Sequence, residues 1–216
     1  IFLNKGLFQS LYNLKILKIS QNIIRSIEKN VFYKYLESLS LFRNNIEFIK
    51  RQHFNDLNNL LILDLSSNRI SKIELDSFRG LFKLVELNLN NNCIFKLSFN
   101  FFSDLISLSL LDLSFNLIKS LKVKDFEFMQ KNSKLKILNF NYNQINHLEC
   151  NLFNYLPDLE ALYLENNLIM VLDNECFKIF KKLKLLNLNN NQITHFTEHF
   201  SSENLKVLYV KNTNPN

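Results

Sequence analysis

The stretch LNLNNNCI, Leu87 to Ile94, sets four asparagines in five positions, Asn88 and Asn90 to Asn92. Nearly the same words return at Leu186 to Ile193 as LNLNNNQI. Either this is a polar low-complexity tract that resists folding, or it holds one structural asparagine among solvent-facing neighbours. Leu87 and Leu89 alternate with period two, which puts both on one side of a short strand, and Ile94 continues the apolar pattern. The second copy asks whether the whole chain is periodic.

The frame Leu14-x-x-Leu17-x-Ile19-x-x-Asn22 recurs at Leu36/Leu39/Leu41/Asn44, Leu60/Leu63/Leu65/Asn68 and Leu84/Leu87/Leu89/Asn92. It continues at Leu108/Leu111/Leu113/Asn116, Leu135/Leu138/Phe140/Asn143, Leu159/Leu162/Leu164/Asn167 and Leu183/Leu186/Leu188/Asn191. A ninth copy, Leu205/Leu208/Val210, has Thr213 where the asparagine belongs. Successive asparagines lie 22, 24, 24, 24, 27, 24 and 24 residues apart. Two residues after each comes isoleucine, from Ile24 and Ile46 through to Ile193; five after comes Ile, Leu or Phe. Ten after comes Phe32, Phe54, Phe78, Phe102, Phe126, Phe153 and Phe177, and Phe200 sits one place early in a shorter last unit.

One unit cannot bury this many apolar positions by itself, so neighbours must stack and share a continuous core. Each fully buried aliphatic side chain contributes roughly 1.5–3 kcal/mol of transfer energy. The strands of stacked units form a parallel sheet, and the phenylalanine column fills the outer side. After each strand the backbone turns inward and would bury amides and carbonyls without strand partners. An asparagine side chain supplies both donors and an acceptor, so it can satisfy its own turn and the adjacent coil. The expected ladder is Asn22, Asn44, Asn68, Asn92, Asn116, Asn143, Asn167 and Asn191, and in the opening tract only Asn92 is needed for it.

The frame LxxLxLxxNxIxxIxxxxFxxL resembles the leucine-rich repeat, in particular its 24-residue class, to which Toll-like receptors, Slit proteins and many adhesion proteins belong. The resemblance implies an α/β fold: a curved horseshoe solenoid with a parallel sheet on its concave side and an irregular or short-helical convex side. It implies one domain over residues 1–216, with a partial unit at 1–13 and about nine strand-bearing units from 14 onward; members of the class usually carry cysteine-rich caps, and these are missing from the sequence. Asn214-Pro215 is similar to the start of the family's C-terminal cap, so the chain reads as an ectodomain segment. The implied function is non-enzymatic recognition of a protein or glycan, at the cell surface or outside the cell. An intracellular scaffold is the alternative, and it is favoured by the lack of any Asn-x-Ser/Thr acceptor among 34 asparagines.

Composition agrees with a folded domain: hydrophobic residues make up 47% and charged ones 21%. With Gly 2 and Pro 2 among 216 residues, the turns must rely on asparagine, which tolerates left-handed backbone. The net charge of +6 is scattered, which permits a polyanionic glycan but does not demand one, and no nucleic acid is expected. No run of about 18 apolar residues exists, so a membrane would be reached only through segments outside this chain. Cys176 stands where a small apolar residue suits the repeat, so a buried thiol is expected. The other possibility for it is a bridge to Cys150 on the adjacent coil, offset by two positions.

The outward strand positions form the concave face, a broad polar surface suited to recognition rather than to enclosing a small substrate. Candidate binding residues there are Phe42, Arg43, Asp64, Asp112, Phe115, Tyr142, Tyr163, Glu165 and Tyr209. Exposed tyrosines are common energetic anchors, but these aromatics could equally pack sideways along the ladder. His195 and His199 are spaced HxxxH without a following glutamate, so no metal is expected, nor any cofactor or catalytic set. The longer unit between Asn116 and Asn143 carries FEFMQKNSK, Phe126 to Lys134, read as a helical turn tolerated on the convex side.

Overall fold

Each Leu-x-x-Leu-x-Leu segment forms a three-residue strand centred on its second leucine. The computed structural model describes residues 1–8, 10–97, 99–126, 134–172, 176, 180–196 and 204–212. Its concave strands are Ile16–Lys18, Ser38–Ser40, Ile62–Asp64, Glu86–Asn88, Leu110–Asp112, Ile137–Asn139, Ala161–Tyr163, Leu185–Asn187 and Val207–Tyr209. They pair in sequence order as one nine-stranded parallel sheet, with the central leucines Leu17, Leu39, Leu63 and their successors in step. Those leucines point inward and are fully buried from Leu39 to Leu162, while the edge residues Leu17 and Leu208 stay partly open.

The isoleucine column from Ile24 to Ile193 is buried throughout, and the outer rings stack on one another. Centroids of Phe8, Phe32, Phe54, Phe78 and Phe102 follow at 6.4, 6.2, 6.0 and 5.9 Å, each pair near-parallel. Neighbouring strands lie only about 4.8 Å apart. The outer column is therefore wider than the inner sheet, so the coils fan, and ring size alone places the sheet on the concave side. Phe177 lies outside the described residues; Phe180, in the column of Leu57, Leu81, Leu105 and Leu156, packs on Phe153 at 4.5 Å. Also outside them are Phe200, His199, Thr213, Asn214-Pro215 and residues 127–133 of the long unit.

The asparagine ladder is continuous. Asn92 accepts the Ile70 amide through Oδ1 (2.9 Å) and donates through Nδ2 to the carbonyls of Leu89 (3.0 Å) and Leu65 (3.1 Å). Asn116 repeats this one coil on, so the Leu89 carbonyl accepts from both asparagines (both 3.0 Å). The zigzag runs unbroken from Asn44 to Asn191, all buried. Asn22 departs from the expectation: it is exposed and, among the described residues, its side chain bonds to its own turn, at the Ser20 carbonyl. Among the described residues before Ile16, none forms a strand of the concave sheet, so no further rung of the ladder is described beside it.

The outer side is made of turns, short 3-10 segments (Phe99–Phe102, Val123–Asp125, Cys150–Tyr155) and two-residue parallel pairs such as Phe48–Ile49 with Lys72–Ile73. A second polar column, unforeseen from sequence, sits just before the phenylalanines. The Lys50 amide donates to His53 Nδ1, the Ser77 hydroxyl donates to the Glu74 carbonyl, and the Lys122 amide donates to the Asp125 carboxylate. Each closes a local turn three residues back, the outer counterpart of the ladder. Cys176 is not a buried thiol: it is bridged to Cys150, with Cα atoms 4.7 Å apart. The offset of two positions is absorbed by the 3-10 segment that starts at Cys150.

His53 makes the fold acid-sensitive. Burial first, and then the Lys50 ammonium, push its pKa from 6.5 down to about 4, which keeps the ring in the neutral form that accepts the Lys50 amide. The folded value is depressed, so the full contribution is present above pH 6.5 and is lost as pH falls towards 4. The slope is about 1.4 kcal/mol per pH unit, giving a loss of about 2 kcal/mol by pH 5. In urea titrations, the stability difference between wild type and His53→Gln should shrink by that amount from pH 7 to pH 5. A difference that stays constant over this window disproves the assignment.

Candidate functional site

The concave surface is built from four columns fixed by the repeat. Strand pairing aligns Lys18, Ser40, Asp64, Asn88, Asp112, Asn139, Tyr163, Asn187 and Tyr209 in one row across the sheet. Ile16, Ile62 and Val207 lie exposed in the row before it, and Phe42, Asn90, Asn141 and Glu165 lie half-buried in the row after. The fourth column flanks the ladder: Gln21, Arg43, Ser67, Asn91, Phe115, Tyr142, Asn166, Asn190 and Asn212 all have left-handed backbone, with φ from 52° to 58°. Only this backbone turns the chain inward so that the next residue can enter the ladder. Asparagine adopts it cheaply; bulky residues do so only when the surrounding structure dictates it.

Phe115 and Tyr142 are such residues. Their rings stack at 4.2 Å with an interplanar angle of 8°, yet they stay 50% and 44% exposed. The rings pack sideways along the ladder and at the same time leave an open apolar ledge. Phe42 and Tyr163 are half-buried on the sheet, Tyr209 is exposed, and Arg43 is exposed at the ridge. Asn187 is held in register between Tyr163 and Tyr209, which keeps the two rings two strands apart.

The carboxylates are committed to local turns as well as to the surface. Asp64 Oδ1 accepts the Ser66 amide (3.0 Å) and Ser66 hydroxyl (2.5 Å), and Oδ2 accepts the Ser40 hydroxyl (3.1 Å). Asp112 holds Ser114 in the same way (2.9 and 2.7 Å). Asn88, Asn139 and Asn187 replace them on other coils, each accepting the amide two residues on. Glu165 accepts from the amide nitrogens of Asn187 (2.9 Å) and Asn190 (3.4 Å). These side-chain-capped turns were missed at the sequence level, although the recurrence of Asp or Asn at one fixed offset is their signal. Among the described residues, no group of three or more His, Cys, Asp or Glu side chains is placed to hold a metal ion.

A family described as Leucine rich repeat matches residues 34–94, 122–169 and 158–214. The chain is a leucine-rich-repeat protein. No curated protein matches it. Among solved structures it is similar to TLR13 in a complex with ssRNA13, with 29% identity and a TM-score of 0.88 over 97% of this chain and 30% of that one. It is similar also to a leucine-rich-repeat protein of Leptospira interrogans, at 26% identity and TM-score 0.76, covering 95% of this chain and 51% of the other. The Drosophila Toll–Spatzle complex shares the fold, at 20% identity and TM-score 0.72 over 94% of this chain and 31% of that one. This leucine-rich-repeat chain therefore spans about half or less of the length of each of these chains. TLR13 is held there with RNA, so the fold gives no support to excluding nucleic acid, as the sequence reading did.

Proposed function

We propose that this chain is a non-enzymatic recognition module, a single leucine-rich-repeat domain that meets a protein ligand or co-receptor on its concave face. The observation that carries the reading is the unpartnered nine-stranded sheet with the exposed Phe115–Tyr142 ledge beside it. Large exposed aromatic surface bordering a polar face is the composition of an energetic anchor. The Cys150–Cys176 bridge supports a place outside the cell or on its surface, since disulfides persist in oxidising compartments. An intracellular scaffold is the second reading, favoured by the exposed free thiol of Cys93.

Tyr142→Asn/Tyr163→Asn tests the proposal with little risk to the fold, because asparagine already occupies both columns on other coils, at Asn166 and Asn139. Binding to purified secreted and cell-surface proteins would be measured by interferometry, beside a circular-dichroism check of the fold. A partner of the concave face should bind the variant at least about tenfold more weakly, as expected when anchor side chains are removed. A partner that binds wild type and folded variant equally well refutes this use of the face.

A further inference from the structure

We infer that the concave face takes a basic partner: a lysine- or arginine-bearing extended segment of another polypeptide, laid across the parallel strands. This rests on the reading of the face as the recognition surface and names the chemistry that fits it. The protein carries a net charge of +6, so a random scatter would leave the sheet face basic. It is the reverse. On the outward positions of the strands and their turns from Ser38 to Asn189, the charged residues are the four acids Asp64, Glu86, Asp112 and Glu165 against a single base, Arg43, at the ridge beside the ladder. Lys18 and Lys211 occur only on the two edge coils.

Several carboxylates off the face are paired with a neighbouring base. Glu37 pairs with Lys15 (2.8 Å), Asp158 with Lys182 (2.6 Å), and Glu160 with both Lys136 (3.2 Å) and Lys184 (2.5 Å). The four on the concave face have no ion-pair partner among the described residues. Asp64, Asp112 and Glu165 are instead oriented by neutral hydroxyl and amide donors, which fix their position and leave the charge. Asp64 and Asp112 stand in one row two strands apart, about 10 Å, close to the Debye length of about 8 Å at physiological salt. The stacked Phe115 and Tyr142 rings border the same coils and can receive a cation on their exposed faces. A polyanion meets repulsion here.

The spacing also selects a conformation. In a polyproline II segment, residues three apart lie on one face about 9.3 Å from each other, matching the Asp64–Asp112 interval. A β-strand offers about 6.7 or 13 Å between same-face residues, and matches neither way. The favoured ligand therefore presents a base at every third residue along a polyproline II backbone.

The probe is a fluorescent nine-residue peptide, (Pro-Pro-Lys) repeated three times, titrated into the full chain by anisotropy at two salt concentrations. Asp64→Asn/Asp112→Asn keeps the turn caps, since asparagine fills that role at Asn88 and Asn139. This variant should bind the probe at least tenfold more weakly and with less salt dependence. Glu37→Gln/Glu160→Gln changes the net charge equally but off the face, and should alter binding less than twofold. Equal losses in the two double variants, or a wild type that prefers (Pro-Pro-Glu) repeats, overturn the inference. For a protein partner identified independently, sensitivity to Tyr142→Asn/Tyr163→Asn but not to Asp64→Asn/Asp112→Asn would sink the basic-partner inference and keep the concave-face reading. Insensitivity to both would sink the concave-face reading itself.

Discussion

Asn116→Ala should destabilise the protein by about 3 kcal/mol, while Asn22→Ala, the same substitution in the same column, should cost less than about 0.5 kcal/mol. Asn116 is buried and accepts the Ile94 amide at 2.9 Å while donating to the carbonyls of Leu89 (3.0 Å), Leu113 (3.1 Å) and Ser114 (3.1 Å). The losses are unequal. The Leu89 and Leu113 carbonyls each keep a second asparagine, Asn92 and Asn143, so each loses one bond of two. The Ile94 amide keeps no partner, and an orphaned buried donor costs about 1–3 kcal/mol by itself. Lost donor bonds and the vacated volume supply the rest. Asn116→Asp should be no better, because it keeps the acceptor but buries a carboxylate where carbonyls need donors. Urea denaturation of the three variants decides the matter. Similar small losses at Asn22 and Asn116 would show that the ladder is decorative.

That contrast also marks how far the sequence could be read. Leucine, isoleucine and phenylalanine columns were legible because burial tolerates few residue types, so the pattern survives in every coil. The ladder was legible for the same reason, except at Asn22, where the letter is right but no strand of the concave sheet precedes its coil among the described residues. The left-handed column was not legible. Gln21, Arg43, Ser67, Phe115 and Tyr142 share no chemistry, because the ladder on one side and the strand on the other impose their φ from outside. In the tract LNLNNNCI this adds two structural asparagines to the one expected. Asn91 takes the left-handed turn at φ 52° and Asn88 caps the Asn90 amide, so the tract serves the fold at three of its four asparagines. Strand alternation fixes which side the residues on either side of each central leucine face. Their charge segregation stayed hidden, since +6 is a property of the whole chain and the face follows a different rule. The Cys150–Cys176 bridge was masked by its offset of two repeat positions between the coils.

Phe78→Ala should cost about 3–5 kcal/mol, the other large effect in the molecule, and it should do so locally. Phe78 is 0% exposed and lies between Phe54 at 6.0 Å and Phe102 at 5.9 Å, both nearly parallel to it. Removing the ring leaves a void in the wide outer half of the coil. The sheet side cannot relax to fill it, because its strands are held in register by main-chain bonds to both neighbours. The rings on either side are anchored in their own coils. Phe82, four residues on and 49% exposed, supplies the control: Phe82→Ala should stay within about 0.5 kcal/mol of wild type. In a solenoid each coil contacts only its neighbours, so the damage should be graded along the axis. Hydrogen exchange on Phe78→Ala should show lost protection in the three coils holding Phe54, Phe78 and Phe102, with coils beyond Asn143 unchanged under native conditions. Uniform loss along the chain would mean that the repeats unfold as one unit, and would refute the view of this core as a column of locally supported rings.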